Sequence, residues 1–412
     1  MSLKEDALKM HLDNQGKIAV NSKVKVVDTR DLSLAYSPGV AEPCRKIFEN
    51  KEDIYRYTAR GNLVAVVSTG TAVLGLGDIG AEASLPVMEG KAVLFKNFAG
   101  IDAFPLCIGT KEVDRVVEFV KLLEPTFAGI NLEDIAAPEC FEIEERLKEE
   151  TEMAIFHDDQ HGTAVVALAG LINALKIVGK EIGEMKVVVN GAGAGGMATA
   201  KLLLTLGFDD IIVCDSRGII YPGRKENMNS YKEELAKETN KDNLKGDLAK
   251  AMEGADVFMG LSLADLVSQE MVRSMASDPI IFAMANPDPE IVPDAAKAAG
   301  AKVVGTGRSD YANQVNNVLA FPGILRGALD VRSTDITEKM KVAAAYAIAD
   351  LIPEDEVTPE YVIPNAFNRD VAPGVAAAVA RTAMEEGIAR IERDPDEIAE
   401  NTKKLVNEIY QE

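Results

Sequence analysis

Two pairs of acidic residues follow two apolar, strand-like stretches in the first half of this chain. Glu133 and Asp134 come directly after AGINL, and Asp158 and Asp159 follow MAIFH. In open α/β sheets the carboxyl ends of the strands face the ligand crevice, so two such pairs can converge on one point. Clustered carboxylates repel one another unless a divalent cation lies between them, and oxygen-only ligands suit Mg²⁺ or Mn²⁺ better than zinc.

The residues leave two alternatives open for this acidic cluster. Asp158 or Asp159 can cap the N-terminus of the apolar helix predicted over residues 163–178. His157 and His161 flank the second acidic pair and keep zinc in consideration, although no HExxH motif or cysteine pair accompanies them.

A lysine and a tyrosine are candidates for proton transfer. Lys91 lies in PVMEGKAVLF, at the start of a strand predicted over residues 91–95 with apolar residues behind it. Partial desolvation lowers the pKa of a lysine toward the range that is useful for a base. Tyr36 lies in the proline–glycine turn LAYSPGVAEPC, from which a tyrosine can relay a proton. Lys96 is an equally placed candidate for the same role as a base. For Tyr36 and for both lysines, a purely structural role is the alternative.

A glycine-rich turn in the second half of the chain has the context of a dinucleotide site. A predicted strand leads into GAGAGG, an apolar helix leaves it, and the next strand ends at Asp215, roughly 20 residues later. The glycines allow close approach of a pyrophosphate, and the acid is placed to bind the adenosine ribose; a tight turn with no ligand is the alternative. Asp215 favours NAD over NADP, whereas the nearby Arg217 leaves NADP open. The turn residues assigned to the cofactor are Gly191, Gly193, Ala194, Gly195 and Gly196.

A second GxGxxG spacing occurs at Gly75, Gly77 and Gly80. Because Pro86 and Gly90 interrupt the next stretch of the chain, the pattern predicts no long helix after it. We interpret this segment as a glycine-rich flap that closes over the ligand.

Three asparagines later in the chain are candidate ligands that add no charge to a site. Asn286 follows an apolar strand in AMANPDPE, and Asn316 and Asn317 lie in GRSDYANQVNN. A side-chain amide can hold a substrate carboxylate or the nicotinamide ribose, with turn and cap roles as the alternative.

Composition narrows the classes of partner. The chain has 412 residues and a formal net charge of −22. This negative charge argues against nucleic acid and anionic membrane surfaces as binding partners. The apolar run 163–178 is too short to cross a bilayer and contains polar residues, so it predicts a buried helix. The four cysteines form no CxxC pair and are expected to be free, buried thiols. Together with an N-terminus that has no signal-peptide pattern, these features predict a cytoplasmic protein.

The alternation of strands and helices predicts an α/β protein with two domains. An N-terminal α/β domain over residues 1–160 carries the substrate and metal residues, and a Rossmann-type doubly wound domain follows over 161–385. An amphipathic helical tail over 386–412 is expected to pack back onto the first domain. The charged segment 224–250 is interpreted as an exposed loop and helix.

Taken together, the motifs resemble the malic enzyme family in its short bacterial and archaeal form. The matching stretches, in the family's order, are AYSPGVAEPC, GTAVLGLGDIG, PVMEGKAVLFK, FHDDQHGTA, VNGAGAGG, ANPDPEI and GRSDYANQVNN. The resemblance implies a homodimer that oxidatively decarboxylates (S)-malate to pyruvate and CO₂ while reducing NAD(P)⁺.

The resemblance also implies roles for individual residues. It makes Tyr36 the general acid and Lys91 the general base, and places Asn286 and Asn317 at the malate and nicotinamide end. The implied ligands of Mg²⁺ or Mn²⁺ are Glu133, Asp134 and Asp159, with Asp158 assisting; Asp158 is also assigned to the catalytic residues and Asn316 to the substrate residues.

The chain departs from the family pattern at several positions. Thr69 stands where the family pattern has an acidic or amide residue, and Ala312 stands where it has proline. The arginine of the long form is absent from the glycine flap, where Thr71 and Ala72 lie, so the contact to the second malate carboxylate is open. No phosphotransacetylase-like extension is expected. Two other functions remain: a non-decarboxylating NAD-dependent dehydrogenase of a 2-hydroxy acid or amino acid, and a non-enzymatic dinucleotide sensor.

Overall fold

A computed structural model describes residues 2–409, in which ten strands form two sheets. The strands are β1 Leu63–Ser68, β2 Asp102–Cys107, β3 Gly129–Leu132, β4 Ala154–His157, β5 Lys186–Asn190, β6 Asp210–Asp215, β7 Gly218–Ile219, β8 Val257–Gly260, β9 Ile280–Ala283 and β10 Val303–Thr306. The first sheet has the order β2-β1-β3-β4 and is entirely parallel. The second has the order β10-β9-β8-β5-β6-β7, with β7 antiparallel to β6.

Seventeen α-helices lie in the described part of the chain and surround these sheets. They are α1 Leu3–Asn14, α2 Thr29–Ala35, α3 Ala41–Glu49, α4 Ile54–Tyr57, α5 Ala81–Ala99, α6 Val113–Leu122, α7 Glu139–Glu150, α8 Asp158–Val178, α9 Ala194–Leu206, α10 Ser230–Glu238, α11 Leu248–Met252, α12 Gln269–Arg273, α13 Pro293–Ala298, α14 Phe321–Asp330, α15 Glu338–Ala349, α16 Val371–Glu385 and α17 Pro395–Ile409. Short 3₁₀ turns occupy Lys51–Asp53, Arg60–Asn62, Leu74–Leu76, Ile182–Glu184, Asn317–Leu319 and Glu354–Glu356.

Both sheets are doubly wound, which confirms the predicted α/β class. In the first sheet the chain order reverses between β1 and β3, and in the second it reverses between β5 and β8. Strands such as β1 and β5 are almost fully buried, as expected for parallel strands covered by helices on both faces. Because ligands bind outside the strand ends at such reversals, each sheet offers one edge to a common site.

Helix α8 connects the two sheets and is a buried core helix, as predicted, but it begins at Asp158 and is longer than the predicted run 163–178, so the expectation that it is too short to cross a bilayer is wrong. It is long and apolar enough to cross a membrane by length and composition, but it is mostly buried and packs against α9 and α15. The C-terminal helix α17 contacts α5 of the first half, which matches the expected return of the tail. The last three residues of the predicted tail lie outside the described residues.

The strand predicted over residues 91–95 is wrong. These residues lie in α5, a helix of 19 residues that begins directly after Gly80, so the expectation of no long helix there is also wrong. Its buried residues, among them Met88, Phe95 and Ala99, recur every three or four positions, and this helical period outweighs the short apolar run KAVLF. Pro86 lies inside the helix and removes only one backbone donor.

Two further expectations need correction. Arg224 and Lys232, in the segment interpreted as exposed, are buried because both pair with Asp215. Cys44 is exposed and Cys107 is partly buried, whereas Cys140 and Cys214 are buried; all four are free thiols.

The N-terminal segment contributes nothing to the core of this chain. None of residues 2–62 is buried, and α1, α2 and α3 therefore lack a buried face. Large apolar side chains in this segment are exposed, including Leu12, Val27, Leu34 and Phe48. An extended set of exposed apolar side chains of this kind is typical of a surface that another chain covers.

Candidate active site between the two sheets

One cavity of about 820 Å³ collects residues from both sheets. The first half contributes Lys91 and the carboxylates of β3 and α8, and the second half contributes the glycine turn after β5 and the asparagines after β9 and β10. The sequence-predicted residues that line it are Lys91, Glu133, Asp134, Asp159, Gly193, Ala194, Gly195, Asn286, Asn316 and Asn317. The structure therefore places the predicted metal residues, base and dinucleotide turn around one space.

Three carboxylates in this cavity form a group that fits a metal ion. Glu133 and Asp134 follow β3 and Asp159 lies in the first turn of α8, and one oxygen from each lies within 4.8 Å of the others. Oδ2 of Asp134 is buried and has no hydrogen-bond partner among the described residues. A buried carboxylate oxygen without a donor is unfavourable, and a hard divalent cation satisfies it.

The pKa shifts of the carboxyl groups in this cluster also favour a bound cation. Burial raises the pKa of Glu133, Asp134, Asp158 and Asp159. For Asp134, repulsion from Asp159 adds to burial and brings the pKa to about 7. The backbone N–H of Asp134 donates to Oδ2 of Asp159 at 2.7 Å, which fixes the two strand ends to each other. The protein thus builds a concentrated negative site that protons or a cation must neutralise.

The two alternatives for the acidic cluster are not supported by the geometry. The N-cap of α8 is His157, without a side-chain cap, and Asp158 and Asp159 lie inside the first turn. His161 binds Glu144 at 2.7 Å in a separate buried network, and burial lowers its pKa to about 4. Neither ring belongs to the group of three carboxylates that could hold a metal ion.

Lys91 lies beside the carboxylate group and is buried. Its Nζ atom is 2.6 Å from Oδ2 of Asp158 and 2.9 Å from Oε1 of Glu133, and it lies 4.3 Å from the ring centroid of Phe321. Burial alone would lower the pKa of Lys91, but Asp158 and Glu133 outweigh burial and raise it. The expectation of a lowered lysine pKa is therefore wrong for this arrangement, because the sequence did not reveal two carboxylates in contact with Nζ. Lys96, the competing lysine, is exposed and pairs with Asp102 at the surface.

Asp158 is held in place from two sides. Asn317 donates from Nδ2 to the Asp158 oxygen that also binds Lys91. A Cβ atom at Gly162, one turn along α8, would lie 1.9 Å from Oδ1 of Asp158, so only glycine leaves room for the carboxylate. Gly162 is a residue that sequence reasoning missed, although it stands in the DDQHGT motif.

The turn after β5 has the geometry that a pyrophosphate requires. Gly191 has a φ of 124°, and a Cβ at Gly196 would lie 1.7 Å from the carbonyl oxygen of Gly191. Gly193 is the N-cap of α9 and makes no side-chain cap, which leaves the first N–H groups of the helix for a ligand. A Cβ at Gly195 would lie 3.1 Å from the carbonyl oxygen of Asp159, so this turn directly adjoins the acidic end of α8.

The structure brings most of the predicted residues together, but not Tyr36. Tyr36 follows α2 in the N-terminal segment, is 70% exposed and does not line the cavity. Asp215 also lies outside the cavity lining, at the end of β6, where Arg224 and Lys232 hold it; these hydrogen bonds outweigh burial and lower its pKa to about 2. The predicted flap does border the cavity, through Ala72 and Leu74.

Lys17 lines the cavity and was missed by sequence reasoning. Its Nζ atom donates to the carbonyl oxygen of Pro86 at 2.6 Å, and its backbone N–H donates to Glu89 at 2.9 Å. Burial lowers the pKa of Lys17, against the opposing attraction of Glu89. No motif surrounds this lysine, so only the contact with α5 reveals its position.

Comparisons with known proteins identify the family of this chain. The model described as "Malic enzyme, N-terminal domain" matches residues 15–113 and 110–148, and "Malic enzyme, NAD binding domain" matches residues 160–384. The chain belongs to the malic enzyme family. It is 64% identical over 405 residues to a bifunctional malic/malolactic enzyme of Bacillus subtilis (98% of this chain, 99% of the relative).

Two other malic enzymes are similar over most of their length. The chain is 54% identical to the NAD-dependent malic enzyme of Geobacillus stearothermophilus, across 94% of this chain and 80% of the relative. The crystal structure of malic enzyme from Pyrococcus horikoshii matches with a TM-score of 0.96 and 47% identity, and it covers 100% of this chain and 97% of that one. The family resemblance and the two-domain α/β fold are thereby confirmed.

Proposed function

We propose that this protein is an NAD(P)-dependent malic enzyme that converts (S)-malate to pyruvate and CO₂. The observation that carries the proposal is that Lys91, three clustered carboxylates and a dinucleotide turn line the same cavity. Each part alone has structural alternatives, but oxidation followed by decarboxylation needs a base, an electron sink and a hydride acceptor together. The names of the similar proteins support the same activity.

Glu133, Asp134 and Asp159 would hold Mg²⁺ or Mn²⁺, because they offer only oxygen ligands and carry an excess of negative charge. When bound, the cation polarises the hydroxyl and the new ketone as a Lewis acid, and the nicotinamide takes the hydride. The chain's own contribution is to hold both groups on one side of the cavity, since the glycine turn and the acidic end of α8 adjoin.

Lys91 is the proposed base for the malate hydroxyl. Its Nζ atom lies at the edge of the carboxylate group, where the hydroxyl of a metal-bound substrate would be within reach. Glu133 would be shared between Lys91 and a bound cation, and Lys91 would then lose part of the attraction that raises its pKa. Asp158 orients the ammonium and Asn317 orients Asp158, so both are proposed as positioning residues.

Tyr36 is the proposed acid that protonates C3 after CO₂ leaves, and we propose that it acts across a homodimer. In this protomer Tyr36 lies on an exposed segment, and no tyrosine lines the cavity within the described residues. The segment also presents exposed apolar side chains and no buried residue, as expected if a second copy covers it. A second copy would thus bury this surface and complete the site at once.

Lys17 is proposed to bind the second carboxylate of malate. Lys17 and Lys91 are the two cationic side chains that line the cavity in the described part of the chain, and Lys91 is already paired with two carboxylates. The ammonium of Lys17 is therefore a candidate in the same cavity for the end of malate that the flap arginine binds in the long form. Asn286 and Asn316 complete the wall near the nicotinamide end.

Product analysis tests this function against a non-decarboxylating dehydrogenase. Purified protein with (S)-malate, Mn²⁺ and NAD⁺ or NADP⁺ is expected to release one CO₂ and one pyruvate for each reduced cofactor. Oxaloacetate that accumulates without CO₂ would favour the alternative dehydrogenase, and nucleotide binding without any turnover would favour a sensor. Lactate is measured in the same samples, because the Bacillus subtilis relative is named a malic/malolactic enzyme.

A further inference from the structure

Glu290 is a buried carboxylate that has no cation beside it. It lies between β9 and α13, its side chain is fully buried, and within residues 2–409 it forms no ion pair. Burial raises the pKa of Glu290, and hydrogen bonds from backbone N–H groups oppose that shift. Because a buried carboxylate is unfavourable unless its oxygens accept hydrogen bonds, the partners of Glu290 indicate its task.

Each side-chain oxygen of Glu290 accepts a hydrogen bond from the segment after a different strand. Oε1 accepts from the backbone N–H of Ser262, after β8, at 3.0 Å, and Oε2 accepts from that of Ala285, after β9, at 3.1 Å. The main-chain carbonyl oxygen of Glu290 also accepts from the N–H of Val267 at 3.0 Å. Glu290 therefore holds both ends of the segment 262–267 and fastens it to the segment that follows β9.

The space around the carboxylate of Glu290 is closely fitted. A Cβ atom at Gly260, the last residue of β8, would lie 2.5 Å from Oε1 of Glu290. The backbone N–H of Met284 donates to the carbonyl oxygen of Gly260 at 3.0 Å, so the two strands remain paired up to this point. Only glycine at position 260 leaves the carboxylate room to reach both strand ends.

The two residues that Glu290 anchors belong to the wall of the active-site cavity. Ser262 and Ala285 both line it, and Asn286, which also lines it, follows Ala285 directly. Nδ2 of Asn190, the last residue of β5 before the glycine turn, donates to Oγ of Ser262 at 2.8 Å. The wall that Glu290 holds thus extends from the dinucleotide turn to Asn286.

We propose that Glu290 is a positioning residue for the nicotinamide half of the dinucleotide. This inference rests on the proposed NAD(P)-dependent function and adds a residue that acts without touching the cofactor. Hydride transfer requires the nicotinamide in the cavity that Lys91 and the carboxylates line, so the wall formed by Ser262 and Ala285 borders it. A wall that is fixed before binding removes the cost of ordering it when the nucleotide arrives.

Titration with whole dinucleotides and with their adenosine halves tests the inference without malate turnover. In calorimetry, Glu290→Ala is expected to weaken NAD⁺ and NADP⁺ about 10-fold or more, because two backbone N–H groups lose their acceptor and the wall loosens. ADP and 2′-phospho-ADP lack the nicotinamide and its ribose, so their affinities should change less than about threefold. Binding of Mn²⁺ should stay within about twofold of wild type, because its proposed ligands follow β3 and begin α8.

A matched variant controls for the loss of a carboxylate from this part of the chain. Asp294→Asn removes an exposed carboxylate in the first turn of α13 and should leave the affinity for the dinucleotides within about twofold of wild type. Equal weakening of dinucleotides and adenosine halves by Glu290→Ala, or no weakening of either, would overturn the proposal. Wild-type protein that binds none of these nucleotides would instead contradict the proposed cofactor function itself.

Gly260→Ala tests the same contact from the other side and serves if Glu290→Ala does not fold. The added methyl group fits only if the carboxylate of Glu290 moves, so this variant should also weaken the dinucleotides selectively. In the double variant Gly260→Ala, Glu290→Ala the methyl group occupies space that the carboxylate has left, so the combined loss should be clearly smaller than the sum. Additive losses would show that Gly260 and Glu290 act separately, and would overturn the role given to Glu290.

Discussion

Nζ of Lys91 lies 2.6 Å from Asp158 and 2.9 Å from Glu133, and all three side chains are buried. Glu133 belongs at the same time to the group of three carboxylates that fits a metal ion. One side chain therefore connects the proposed base with the proposed metal site, so that the charge state of Lys91 depends on what the carboxylates bind.

Lys91→Met is expected to lower kcat on malate by about 10²–10⁴-fold, the usual contribution of a positioned base. The substitution also leaves two buried carboxylates without their cation, so the melting temperature should fall. Initial rates with Mn²⁺ and a parallel nucleotide titration separate lost chemistry from lost folding. Lys96→Met removes an exposed lysine of the same helix and should stay within about twofold of wild type. Turnover of Lys91→Met within a few-fold of wild type would show that Lys91 is not the base.

Binding of Mn²⁺ is expected to strengthen as the pH rises from about 6 to 8. The pKa of Asp134 is raised to about 7, so this carboxyl group is protonated below that pH and must lose its proton before it binds a cation. Calorimetry in two buffers of different ionisation enthalpy measures the protons released.

Asp134→Asn is the matched variant for the metal site, since it should weaken the binding of Mn²⁺ and reduce its dependence on pH near 7, while the raised pKa of Glu133 and Asp159 remains. Dialysis against EDTA should abolish malate turnover, and added Mn²⁺ should restore it. An affinity that does not change with pH, or activity that survives EDTA, would contradict the proposed metal site.

Tyr36→Phe and Lys91→Met are each expected to inactivate the homodimer, but a mixed dimer of the two should recover about half of the wild-type activity. One of its two sites then combines an intact Lys91 with an intact Tyr36 from the other protomer. Co-expression with two affinity tags and tandem purification isolates this species.

The reverse pairing gives the opposite expectation and serves as the control. A dimer of wild type with the double variant Tyr36→Phe, Lys91→Met should be inactive if Tyr36 acts across the interface, and about half active if it acts within one protomer. Activity in this second dimer and none in the first would contradict the homodimeric site.

Lys17→Met is expected to raise KM for malate about 10–100-fold and to change KM for the nucleotide little, because it removes a charged partner of one substrate carboxylate. Lys23→Met, at a more exposed position of the same segment, provides the comparison and should leave both constants near wild type. An unchanged KM for malate in Lys17→Met would show that Lys17 does not bind the second carboxylate of malate.

The parts of the candidate site that depend on residues close together in the sequence were predictable. The carboxylates of Glu133 and Asp159 were found because strand ends of a parallel sheet share one edge, and the turn at Gly191 because its spacing is local. Lys91 was found as a residue and assigned to the wrong element, since a five-residue apolar run outweighed the longer helical period of α5. Lys17 had no local pattern, and its role depends on a contact with Pro86, 69 residues away.

The sequence by itself determined the doubly wound α/β class, the dinucleotide turn, the acidic cluster and the family. These features depend on hydrophobic period and on spacings within a few tens of residues, which the chain carries locally. Only the tertiary structure decided that the pKa of Lys91 is raised, that Asp215 is saturated by Arg224 and Lys232, and that Tyr36 lies on an exposed apolar segment. Burial and ion pairing depend on which distant side chains come together, and the charge of a residue alone does not specify its partners.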